Sequence, residues 1–109
     1  MFNNVSSISS YAFGSVYINA AGGGASYWNC SFPSCTTMAD GVFYYNRGIK
    51  EVYFSQCSSI GNYGFCGCGV LTSISFPNCT TIGYSAFYNC AMLTTVSFSN
   101  CTTIGVGTF

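Results

Sequence analysis

LTSISFPNCTTIGYSAFYNC, residues 71–90, decides the reading of this chain because it recurs. Twenty-two residues later, Leu93 to Phe109 reads LTTVSFSNCTTIGVGTF; twenty-two residues earlier, Ile49 to Cys68 reads IKEVYFSQCSSIGNYGFCGC. One step further back stands YWNCSFPSCTTMADGVF, Tyr27 to Phe43. A partial copy, MFNNVSSISSYAF, opens the chain with Phe2, Ile8 and Phe13 in the places of Phe76, Ile82 and Phe87. A fixed period of this length is the signature of a solenoid, in which each copy is one unit stacked on the last.

Within a copy the apolar positions are Leu71, Ile74, Phe76, Cys79, Ile82 and Phe87. Ile74 and Phe76 lie two apart and so share one face of a strand. Pro77 and Pro33 end that strand, since proline has no N–H for a ladder. Asn78 to Thr81 reads as a turn, and Gly83 as the residue that permits a tight bend. The expected fold is a mainly β repeat solenoid of about five 22-residue repeats. It is expected to be right-handed and parallel, with one strand per repeat and little helix. Stacking would lay equivalent side chains about 4.8 Å apart. It would make ladders of Phe32, Phe54, Phe76 and Phe98, of Met38, Ile60, Ile82 and Ile104, and of Phe43, Phe65, Phe87 and Phe109. One copy cannot bury enough surface to fold alone, so neighbours must supply hydrogen bonds and packing. Phe13 to Phe43 is 30 residues where other spacings are 22, so eight residues are inserted. The domain reading is one solenoid over 1–109: partial repeat 1–13, glycine-rich insert 14–26 and regular repeats 27–109.

Only four residues are charged, Asp40, Arg47, Lys50 and Glu51, and there is no His. No basic patch exists to neutralise phosphates, which excludes a nucleic-acid partner. No apolar run reaches the roughly 18 residues of a membrane span. No signal-peptide pattern is visible, and bare repeat at both ends suits a piece of a longer array. A surface this poor in charge has little repulsion to keep molecules apart. The eight cysteines follow the register: Cys35, Cys57, Cys79 and Cys101 share one position, Cys68 and Cys90 another, and Cys30 stands where Val52 stands. That pattern favours reduced thiols acting as small buried hydrophobes. Disulfides within a ladder are the alternative, and a straight column of sulfurs is a poor metal tetrahedron.

The pattern carried by Leu71, Ile74, Phe76, Pro77, Cys79, Ile82, Ala86, Phe87 and Cys90 resembles the BspA-type leucine-rich repeat of bacterial and protist surface proteins. The resemblance covers everything but the glycine insert. It implies an extracellular or cell-surface location and a role in binding: adhesion to matrix proteins or to other cells.

Catalysis has little to work with. There is no His base, and the two carboxylates sit at different repeat positions. Cys66-Gly67-Cys68 lacks the spacing of a redox pair, and the glycines at 22–24 lack a phosphate-binding lysine. No enzyme, cofactor or metal site is expected. Charge and aromatics coincide only around Trp28, Lys50, Glu51 and Tyr53, with Arg47 and Tyr45 just before. Such residues are enriched in binding hot spots, which makes these four the candidate partner-binding face. The competing reading is that four charges must fall somewhere on a surface. Positions 28, 50, 72 and 94 would form one outward column. The alternative function is structural: end-to-end stacking through uncapped ends, with Phe2, Leu93, Val96, Phe98 and Phe109 as candidate self-association residues.

Overall fold

Ser73-Ile74-Ser75 alternates hydroxyl and aliphatic side chains, as a strand with one buried face must. In the computed structural model, which describes residues 4–14 and 28–109, Ile74 is buried and its two neighbours are half-buried. The described residues form nine strands in chain order: β1 (Ser7–Ile8), β2 (Trp28–Ser31), β3 (Thr37–Met38), β4 (Ile49–Tyr53), β5 (Ser59–Ile60), β6 (Ser73–Ser75), β7 (Thr81–Ile82), β8 (Thr95–Ser97) and β9 (Thr103–Ile104). They contain no helix.

Two parallel sheets run along the stack, one ordered β1-β3-β5-β7-β9 and the other β2-β4-β6-β8. Each rung, the layer made by one copy, pairs with the next at equivalent positions: Ile74 with Val96, Ile60 with Ile82. Ser7 pairs with Thr37, an offset of 30 residues, so the first rung is displaced by the insert as the spacing requires. The expected parallel solenoid is therefore observed. The expectation of one strand per repeat is corrected to two. Thr81 was read as the end of a turn, but with Ile82 it forms a two-residue strand, Thr outward and Ile inward. Two residues are enough because the backbone bonds to the neighbouring rung continue around them, as Thr81 N donates to Ser58 O and Gly83 N to Ile60 O.

The core lies between the sheets. Phe32, Phe54 and Phe76 stack face to face at 4.7 and 4.9 Å, and Phe43, Phe65 and Phe87 at 5.0 and 5.4 Å. The two columns meet edge-on, as in Phe65 against Phe76 at 5.9 Å and 74°. Rings offer positive edges to negative faces, so the interlock adds roughly 0.5–1.5 kcal/mol per pair beyond area burial. Val42, Gly64, Ala86 and Thr108, small or mid-sized, fill the corner beside the second column, and all four are buried.

Polar groups are satisfied from rung to rung. Thr36, Ser58, Thr80 and Thr102 each donate a hydroxyl hydrogen to the carbonyl of the equivalent residue one rung back, at 3.1–3.3 Å. Asn46 is fully buried at the repeat position of Cys68 and Cys90. Its Nδ2 donates to Phe13 O at 3.0 Å, as Cys68 Sγ does to Phe43 O and Cys90 Sγ to Phe65 O. Its Oδ1 accepts from the backbone of Gly48 and Ile49, both at 2.9 Å.

The turn after the second strand is left-handed at every copy: φ is +57° at Tyr11, +63° at Gly41, +58° at Tyr63, +52° at Ser85 and +67° at Gly107. A second such position holds Tyr45, Gly67 and Asn89. Gly83 was read as permitting a tight bend; its backbone is not left-handed, and the requirement is close approach. A Cβ there would lie 2.6 Å from the backbone nitrogen of Asn62 one rung back. The insert at 14–26 lies outside the described residues apart from Gly14, as does Phe2.

These turns give a paired test. Ser85→Gly removes a left-handed penalty from an L-residue and should stabilise the fold by about 0.5–1 kcal/mol. Gly67→Ala should destabilise it by roughly 1–3 kcal/mol, because its φ is +74° and the new methyl would sit 2.7 Å from the Tyr45 ring. Urea denaturation of both variants reads the two signs.

Candidate binding face

β4 is the longest strand described, and its burial does not alternate. Ile49 and Val52 point inward three positions apart, with Lys50 exposed and Glu51 half-buried between them. A bulge makes this possible. Trp28 pairs with Ile49, and Asn29 with Glu51, so Lys50 is the extra residue. The reading that placed Trp28 in a column with Lys50, Thr72 and Thr94 is corrected accordingly: that column begins at Lys50. Lys50 O accepts from the N–H of Thr72, and Thr72 O from that of Thr94. The Trp28 side chain lies outside the described residues.

Glu51 and Tyr53 are brought together, and Lys50 is next to Glu51 in the chain. Tyr53 is 42% exposed, and its hydroxyl donates to Glu51 Oε2 at 3.3 Å. Desolvation, and then the adjacent Glu51 carboxylate, push the Tyr53 phenol above its usual range, so it stays a neutral donor. Arg47 is exposed, with its guanidinium carbon 6.0 Å from the Tyr45 ring centroid. Asp40 stands apart, at the turn, where its Oδ1 accepts from Asn62 N at 2.9 Å. Beside Lys50 lies a groove of about 390 Å³ bounded by Gly69, Val70, Thr72 and Met92. Sequence reasoning missed it. The available signal was that Val70 and Met92, both large and apolar, share a repeat position outside the strands.

Four of the five candidate self-association residues, Leu93, Val96, Phe98 and Phe109, lie on the last rung; Phe2 lies outside the described residues. Leu93 and Phe98 are half-buried, Val96 is 42% and Phe109 65% exposed. Phe87, Cys90, Leu93, Val96 and Phe109 bound a depression of about 320 Å³ there.

All eight cysteines are free. Cys35, Cys57 and Cys79 are buried in line, each donating its thiol hydrogen to the carbonyl two residues on, at 3.0–3.3 Å. Cys101, expected to be buried with them, is half-buried, on the last of the rungs described. Burial pushes the thiols of Cys30, Cys57 and Cys90 up to about 12 and that of Cys68 well above its ordinary value. The thiolate is the nucleophile, so these groups are chemically quiet at neutral pH. Among the described residues, no three His, Cys, Asp or Glu side chains converge on a metal site, and no helix is long and apolar enough to cross a membrane.

The thiols predict a pH profile. Unfolded thiols ionise near 9, whereas folded Cys30 and Cys57 hold their protons to about 12. Between those values the unfolded state binds fewer protons, so stability falls as pH rises. The fall is about 1.4 kcal/mol per pH unit for each such thiol. Denaturation should be flat in pH from 6 to about 8 and weaken above 9. Thiol counting in denaturant without reductant should find all eight; four missing thiols that return with reductant would refute a reduced core.

The sequence profile of the BspA type leucine rich repeat region (6 copies) matches residues 1–109. No curated protein and no solved structure matches the chain.

Proposed function

The chain belongs to the BspA-type leucine-rich repeat family, and from that premise we propose that it is a non-enzymatic binding module of a surface-exposed protein, making protein–protein or cell-surface contacts. The observation that carries the reading is the convergence on β4. Three of the chain's four charges lie within five residues there, at 47, 50 and 51, and Tyr53 stands exposed beside them. Elsewhere on this sheet the described outward positions hold Ser, Thr and Asn29, which are short and uncharged and anchor contacts weakly. The test is biolayer interferometry of the whole chain against immobilised extracellular-matrix proteins. The double variant Lys50→Gln/Tyr53→Ser, at two exposed positions, should lose binding while stability changes by no more than about 0.5 kcal/mol. Equal loss of binding and stability would mean that these residues are structural.

A second reading rests on a different observation. β8 and β9 each pair on one side only, and Val96, Ile104 and Phe109 are 42%, 57% and 65% exposed. An unpaired edge with apolar side chains is a template for another strand. End-to-end contact between copies is heterologous and does not close, so it builds chains rather than a fixed dimer. Light scattering over a wide concentration range should show growing size, suppressed by Val96→Lys. A strict monomer at high concentration would overturn this reading.

A further inference from the structure

We propose that the groove beside β4 binds an extended peptide segment carrying an acidic residue and, two positions later, an aliphatic one. This deepens the protein-binding reading and rests on it. The groove is bounded by three successive rungs: Lys50 on the first, Gly69, Val70 and Thr72 on the second, and Met92 on the third. Its two ends differ in chemistry. At the Lys50 end stands an exposed ammonium that makes no ion pair among the described residues. Glu51, its neighbour in sequence, accepts the Tyr53 hydroxyl instead, and Asp40 accepts Asn62 N. The other cation of the chain, Arg47, occupies the repeat position of Gly69 one rung earlier. Lys50 is the one cation among the residues that bound the groove, on a molecule of zero net charge. At the far end Val70 is half-buried and Met92 is 55% exposed, an apolar floor open to solvent.

Spacing selects the ligand. Rungs repeat at about 4.8 Å, so the groove is roughly 10 Å long. Three extended residues span that length, and residues i and i+2 of an extended chain point the same way, about 7 Å apart. A carboxylate at i meets Lys50, and an aliphatic side chain at i+2 lies on Val70 and Met92. Thr72, between them, carries the spacer residue. Charge complementarity selects an acidic partner over a basic one, and an open trough suits a chain segment better than an enclosed small molecule.

Gly69 makes the test clean. A Cβ at this position meets nothing within 4 Å, and its φ is outside the left-handed region, so Gly69→Leu fills the groove without straining the backbone. The probe is a fluorescein-labelled Ser-Asp-Ser-Leu-Ser amide, read by anisotropy against the whole chain. Binding should weaken about tenfold when Asp is replaced by Asn or when Lys50→Gln removes the cation. It should be lost in Gly69→Leu, and it should fall as salt rises from about 20 to 500 mM. Circular dichroism establishes that each variant is folded; Lys50 is exposed, so Lys50→Gln decides the matter even if Gly69→Leu does not fold. Equal binding of the Asp and Asn peptides, or no binding of either, overturns the proposal. If the chain still captures matrix proteins while the peptide fails, the groove is wrong and the binding-module reading stands. If the peptide binds as described and no matrix protein is captured, the groove stands and the matrix-adhesion reading falls.

Discussion

Registration of each rung on the next is the constraint from which the rest of this structure follows. Backbone N–H and C=O groups bond with the same offset from rung to rung, Phe54 N donating to Ser75 O and Phe76 N to Ser97 O, at 3.0 and 3.1 Å. Once that register is set, every side chain lies beside its own counterpart. Phenylalanines stack because they are forced into columns, and a column of flat rings packs without voids. Hydroxyls and thiols find carbonyl acceptors at the same address on each rung, so Ser, Thr and Cys solve the same local problem repeatedly. The buried polar side chains described all have partners.

The same constraint overrides local preference. Left-handed backbone ordinarily belongs to Gly or Asn. In this stack a tyrosine or a serine is held in it despite that cost, since Tyr63 and Ser85 share the conformation of Gly41 and Gly107. Neighbouring rungs fix the turn and the residue follows. Compensation is local: where Tyr45 adopts φ +52°, the next rung offers Gly67, and the ring lies in the space a Cβ would take.

The period made much of this legible from the sequence: the parallel stack, the phenylalanine columns, the offset of 30 residues across the insert and the placing of Cys30 beside Val52. What it concealed has physical causes. Thr81-Ile82 is too short to show alternation, so the second sheet looked like a turn. Trp28 lies next to the insertion, where register can slip by one residue, and a bulge at Lys50 absorbs the slip. Asn46 was hidden because an amide and a thiol look unlike, although both donate to a carbonyl one rung back. The groove was hidden because Val70 and Met92 lie in connecting turns, where size varies freely from copy to copy.

Registration also explains why the candidate site sits at a departure from the pattern. A charge repeated at one position would face its copy about 4.8 Å away, a repulsion on the order of 1–3 kcal/mol at a protein surface. Each column therefore tolerates charge once. Asp40 is followed by Asn62 and Tyr84, and each side-chain oxygen accepts the N–H of the next rung, so the column continues without a second carboxylate. Lys50 is followed by Thr72 and Thr94, and Glu51 by Ser73 and Thr95. The regular residues must serve the stack, and their identities say little about partners. The residues free to answer to a partner are those that break the repeat, and on β4 the break in backbone register and the break in chemistry fall at the same residue, Lys50.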